Sequence, residues 1–474
     1  VERITLDNGL TIMLREDHSV PLVSVELRSR AGSLLDPQQK EGLAELTATL
    51  LTYGTQSRSE DDISNDLGLL GGTLAAAAGS ETFSVYGSVP TIDPTALDKW
   101  LSLMADVVQH PTFPEEAVNR VKRRRLGQLT GLVDKRSALA QRTMMKAIFG
   151  SSLYGRSSAG TLASVKSISR NDVSSFHRTF LVPDDAVLGI AGDFDRKELL
   201  QSLRVKFGNT AWGEVCESGN RCARGCVKEG DFCSSYKREG ATPIKNPYPD
   251  MQSSKLDSAT VILMDVNDPT LNQAQLRLGG PLSLTFNSND WLAYSLGVQV
   301  LGGDFNARLN QELRVKKGLT YGARWSIQPD DIAAGASYAT TYTNPKNVIM
   351  ALTTILDELR KFRTEGAQDA ELQRVKLRLV NGFVFRFETP NQVLDQYMNL
   401  WQERLPAERL QTYRSRVKAI TVEQLHEAAV FLPDKHWVAV VVANRSLAAP
   451  LETFAKSVGA KFKVVTPNWL GIGN

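Results

Sequence analysis

The sequence has no uninterrupted apolar tract of the about 18 residues that a membrane-crossing helix requires, so no transmembrane segment is expected. It also lacks an excess of charge of either sign. The 55 Lys and Arg face 52 Asp and Glu, a net +3, which gives no general attraction to nucleic acid or to an acidic membrane surface. Histidine is scarce: the five are His18, His110, His177, His426 and His436, and no two have the separation that a metal site on one helix needs. His177 and His426 are expected at the surface or boundary of their helices, not as ligands. No serine, cysteine or paired-carboxylate constellation points to independent catalysis.

Cysteine is missing from all but one short polar stretch, which holds Cys216, Cys222, Cys226 and Cys233. An even, local set of this kind fits an exported chain stapled by two disulfides, with the pairing open, and hence a periplasmic or secreted location. A zinc knuckle and free thiols are the alternatives; the spacing C-x5-C-x3-C-x6-C lacks the tight pairs with which two thiolates grip one ion. The chain starts at Val1 with strand-like ERITLDNGLTIML at once, as expected if a leader had been removed.

What is present is size and repetition. With 474 residues, 42% of them hydrophobic, the chain can bury the cores of two or more domains. SISRNDVSSFHRTFLVPDDAVLGIAGD around Ile168 and AITVEQLHEAAVFLPDKHWVAVVVAN around Ile420 share a helix, a Pro-Asp turn and an apolar strand in the same order. VELRSRAG around Arg28 matches AQLRLGGP around Arg277, and GLAELTATLLTYG around Leu43 matches DWLAYSLGVQVLGG around Leu292. A nearly constant offset across three pairs argues for tandem duplication. Each half opens with alternating strands, with Val23, Val25 and Leu27 on one face, and continues into long helices. One such helix places Val348, Ala351, Leu352, Ile355 and Leu359 on one side and Asp357, Glu358, Arg360 and Lys361 on the other. The expected fold class is α+β: two homologous domains, 1–207 and 258–474, each a sheet covered by helices on one side, joined by a Cys-rich linker, 208–257.

The succession RAGS, GLAELTATLL, YGTQSRS and LGLLGGTLAAAAGSET resembles the first domain of the M16 (pitrilysin-like, insulinase-like) zinc peptidases, and the second half resembles their second domain. The resemblance implies the M16 / LuxS-like metallohydrolase fold. Active members carry H-x-x-E-H on the opening helix, two histidines for zinc and a glutamate for its water. The matching positions here are Glu45, Ala48 and Thr49, so both imidazoles and the catalytic carboxylate are absent and no metal is expected. The third ligand of the family is a glutamate on a later helix, where this chain reads Lys122, Arg123, Arg124 and Arg125. That basic run is either a solvated helix face or a positive wall for a chamber or partner.

The second half keeps LGGDFNARLNQELRVKKGLTYGARW, in which Arg314 and Tyr321 match the family pair that reaches substrate near the zinc. A phenol can donate to a carbonyl that is becoming an oxyanion, and a guanidinium can hold a peptide carbonyl or carboxylate. Leu70 to Ser80 resembles the family's edge strand, whose small side chains suit addition of an extended peptide. By resemblance to half-length members, the chain is expected to be the non-catalytic, substrate-binding subunit of a heterodimeric metallopeptidase, with zinc in a partner subunit of the same family. A structural scaffold and a stand-alone peptide-binding protein are the alternatives, and a mitochondrial setting is the alternative location.

Overall fold

The computed structural model describes residues 1–208, 212, 256–328 and 335–472. Cys216, Cys222, Cys226 and Cys233 lie outside the described residues. The described chain forms two compact units. The first draws on Val1–Gly127, Ser158–Lys245 and Phe385–Ala407; the second draws on Gln128–Ser157, Asn246–Val384 and Glu408–Asn474.

The first unit contains strands β1 (Glu2–Thr5), β2 (Thr11–Glu16), β3 (Leu22–Ser29), β4 (Thr73–Ala78), β5 (Phe83–Pro90) and β6 (Ala186–Gly192) in the order β1-β2-β6-β3-β5-β4. The second contains β7 (Thr260–Asp265), β8 (Ala274–Leu282), β9 (Ala323–Gln328), β10 (Gly335–Thr343), β11 (Val438–Ala443) and β12 (Lys461–Val465) in the order β12-β7-β11-β8-β10-β9. Taken from β2 and from β7, the two sheets repeat each other strand for strand. The pairs β2–β6 and β7–β11 are parallel, and the following pairs are antiparallel in both. The duplication read from sequence is therefore present in the topology. Only the outermost strand differs: β1 is antiparallel to β2, whereas β12 is parallel to β7.

Alternation buries Val23, Val25 and Leu27 as expected, but one-sided covering does not hold. Every residue of β6 and β11 is buried, which requires apolar cover on both faces. In the first unit Val187 and Ala191 of β6 pack with Leu394 and Met398 of the helix Pro390–Gln402. Gly189 lies between them, where a Cβ would run into Met398 Sδ and Leu394. In the second unit the helix Arg136–Phe149 packs on β8 and β11. The units are thus not the contiguous halves 1–207 and 258–474, because each takes a covering helix from the other half of the sequence.

Two polar residues also depart from their expected places. Glu358 is buried on the helix Val348–Glu365, and its carboxyl is raised by burial and by Glu312. His177 is buried on the helix Arg170–Phe180, with Nε2 2.8 Å from the carbonyl oxygen of Val108 and the ring edge-on to Phe113; His426 is exposed as expected. Burial pushes the His177 imidazole down to about 4. Because the folded value lies below the unfolded one, the neutral ring's stabilisation is complete above the unfolded value of about 6.5 and is lost as pH falls through 4. Between pH 7 and pH 4 this group should cost the fold about 3 kcal/mol. Urea midpoints of wild type and His177→Gln across that range should converge on acidification; parallel curves would remove His177 as the cause.

Candidate functional site

The opening helix, Leu43–Leu50, buries Leu43, Ala44, Leu46, Ala48 and Leu50 and begins after Gly42, whose φ of 98° favours glycine. Asp36 caps it: its carboxylate accepts from the N–H of Gly42 and of Ala44, each at 2.8 Å. Burial nevertheless pushes that carboxyl up to about 7 against the pull of the N–H donors. The two threonines need no ligand to satisfy them. Thr47 Oγ1 donates to the Leu43 carbonyl at 2.9 Å and Thr49 Oγ1 to the Glu45 carbonyl at 2.8 Å.

Glu45 and Thr49 lie one helical turn apart, where the family holds its two histidines, and Ala48 offers no donor atom. The helix Glu115–Thr130 brings Arg125 to this point, with Nη2 2.7 Å from Glu45 Oε2 and both side chains about one-fifth exposed. A cation of the chain thus neutralises the one carboxylate of the degenerate motif. This donor set does not fit zinc: it offers one carboxylate, already paired, a hydroxyl already donating, a methyl group and a guanidinium. Among the described residues no group of three His, Cys, Asp or Glu side chains could hold a metal ion.

The basic run divides by helical face. Arg123 and Arg124 are exposed, Lys122 donates to the carbonyls of Lys166 and Ile168, and Arg125 turns to Glu45. The sequence allows a solvated face or a positive wall for this run; it does not show that one of the cations closes an ion pair with the motif itself.

In the second unit Arg314 lies on the π-helical segment Gln311–Lys316, and Tyr321 lies in the turn that enters β9. The backbone of that turn is held firmly. Leu319 N donates to Leu313 O at 2.7 Å, and Ala323 N donates to Asn310 Oδ1 at 2.9 Å. Thr341 and Thr343 of β10 donate to the carbonyls of Gly322 and Leu319 at 2.9 and 2.6 Å. The Tyr321 side chain, in contrast, is 78% exposed. Arg314 is exposed and its guanidinium rests 4.8 Å from the ring centroid of Phe305. Among the described residues neither side chain forms a hydrogen bond or ion pair with another side chain or with the backbone. Tyr321 on the anchored turn and Arg314 on the segment before it thus present their polar ends to solvent, Arg314 over the Phe305 ring.

The segment read as an edge strand is β4, paired with β5 on one side and with no other strand among the described residues. Its exposure alternates residue by residue, and the Trp100 indole donates to Thr73 O at 3.1 Å, fixing one end. The backbone along the outer side can accept a further strand. No helix among the described residues is long and apolar enough to cross a membrane.

Both halves of the chain match known proteins. The profile of the insulinase family (peptidase family M16) matches residues 11–162, and that of the peptidase M16 inactive domain matches 167–379. An uncharacterised zinc protease of Mycobacterium leprae is 25% identical over 450 residues, covering 93% of this chain and 91% of its own length. A non-peptidase homologue of Helicobacter pylori is 21% identical over 423 residues, covering 88% and 87%. The crystal structure of a peptidase M16 inactive domain from Pseudomonas fluorescens superposes with a TM-score of 0.77 at 21% identity, covering 94% of this chain and 98% of that one.

Proposed function

The chain belongs to the M16 peptidase family and lacks that family's zinc motif, and from this premise we propose that it is the substrate-binding, non-catalytic subunit of a heterodimeric zinc metallopeptidase. The observation that carries the reading is a contrast within one molecule. The former metal position is closed by the Glu45–Arg125 ion pair, while Tyr321 on its anchored turn and Arg314 on the segment before it remain exposed and, among the described residues, make no hydrogen bond or ion pair.

In this reading the partner is a zinc-bearing M16-type chain that supplies the metal and the general base. Tyr321 donates its O–H to the scissile carbonyl as that oxygen gains charge. Arg314 holds a neighbouring carbonyl or carboxylate of the peptide through charge-assisted hydrogen bonds. The extended peptide can add along the free side of β4, where main-chain hydrogen bonds give affinity independent of side-chain identity. A periplasmic or secreted location is proposed from the cysteine cluster, with a mitochondrial setting as the alternative.

The test is reconstitution. This chain alone and the H-x-x-E-H chain that co-purifies with it from its host should each be inactive on an internally quenched peptide, and active when mixed. Recovery of the chain in a membrane complex, with no activity in any mixture, would replace the peptidase reading with a scaffold role.

A further inference from the structure

The duplication provides an internal control for one buried charge. In the first unit Arg28 of β3 stands opposite Ser84 of β5, and Glu26 opposite Tyr86. In the second unit Arg277 of β8 stands opposite Thr340 of β10, and Gln275 opposite Tyr342. The registers make Arg28 and Arg277 equivalent, and likewise Glu26 and Gln275.

The first arginine is fully served. Its Nε and Nη2 donate to the two oxygens of Glu26 at 2.9 and 3.1 Å, and Nη1 donates to Asn399 Oδ1 at 2.8 Å. The second has lost its carboxylate, since Gln275 is neutral. Nη1 donates to the Leu276 carbonyl at 2.9 Å and Nη2 to Ser137 Oγ at 2.7 Å, while Nε is buried with no partner among the described residues. Arg277 is only 5% exposed, and among the described residues no carboxylate pairs with it. Leaving a guanidinium in such a place is costly unless an anion completes it.

The surroundings are arranged for one. Arg277 and Gln275 line an open cavity of about 720 Å³ with Asp134, Lys135, Arg136, Ser137, Ala138 and Gln141. Lys135 is the cap position and Arg136, Ser137 and Ala138 the first turn of the helix Arg136–Phe149, which has no side-chain cap, so its start and the positive end of its dipole lie beside this space. Arg136 is held by Asp268 at 3.1 Å, Lys135 is exposed at the rim, and the one carboxylate of the lining, Asp134, is exposed and makes no ion pair among the described residues.

We propose that this cavity is a binding site for the oxyanion of a small molecule, phosphate or carboxylate, which takes the place that Glu26 fills in the first unit. Arg277 supplies positive charge to the site, and the uncapped helix start adds its first N–H groups. The site is independent of the Arg314 and Tyr321 reading and can fail or stand without it.

Isothermal titration of the full chain with inorganic phosphate, and separately with succinate, tests the assignment and distinguishes the two anion sources. Saturable binding of at least one is expected. Gln275→Glu, which rebuilds the pair already present in the first unit, and Arg277→Met should each weaken it by at least about 30-fold. If Arg277→Met does not fold, Gln275→Glu decides the matter alone. No saturable heat from either anion in the wild type, or the same affinity in Gln275→Glu, overturns the proposal.

Discussion

Tyr321→Phe in this chain, mixed with the proposed zinc-bearing partner, is expected to lower turnover about 100-fold, the roughly 2.7 kcal/mol typical of losing one oxyanion donor. The change removes one oxygen. Because Tyr321 is 78% exposed and the turn is held by backbone and threonine contacts, the fold should shift by no more than about 0.5 kcal/mol. A loss of turnover without loss of stability or assembly separates chemistry from packing. Arg314→Ala should act differently, raising KM as well as lowering turnover, since a guanidinium that grips the ground-state peptide contributes affinity throughout the reaction. The Phe305 ring lies 4.8 Å from the Arg314 guanidinium, and Arg314→Ala removes that contact as well. Equal turnover for wild type and the double variant, each with the same partner, would leave the pair as a residue of ancestry and favour the scaffold.

The strands themselves and the duplication follow from features that sequence displays well. Alternation in β3, the all-apolar β11 and the repeated helix, Pro-Asp turn and strand each carry a local period that survives folding. The exchanged helices were not legible, because periodicity shows that the helix Pro390–Gln402 has an apolar face and not which sheet that face covers. His177 gave little warning for a related reason: its burial depends on the Val108 carbonyl and the Phe113 ring, both remote in sequence. Loss of the zinc motif at Glu45, Ala48 and Thr49 could be read directly, whereas the closure of the site by Arg125 could not, since four basic residues in succession do not reveal which one faces inward. Arg277 is the missed signal that sequence did contain. Aligning the repeats sets Glu-x-Arg at Glu26 against Gln-x-Arg at Gln275, and a retained cation beside a lost anion marks a charge needing another partner.

Restoring the zinc motif should fail while Arg125 is left in place. The triple variant Glu45→His, Ala48→Glu and Thr49→His supplies two imidazoles and a carboxylate on one helical face, yet Arg125 would remain at the mouth of the site. The 2.7 Å approach of its guanidinium to position 45 shows how near a dication would lie to a fixed positive charge. At an effective dielectric of about 20, a dication and a monocation about 4 Å apart repel by roughly 8 kcal/mol before the arginine swings away, and only part of that is relieved by the swing. The triple variant also lacks the third ligand. Adding Arg125→Glu addresses both defects at once, replacing the repelling group with a carboxylate at the same position of the helix. The quadruple variant should therefore bind zinc at least about 100-fold more tightly than the triple. Competition with a chromogenic chelator, in variants with all four cysteines changed to serine, measures this without interference from thiolates. Equal affinities in the two variants would mean that Arg125 leaves the site freely, and the ion pair with Glu45 would then be a surface contact, not the closure of a lost metal centre.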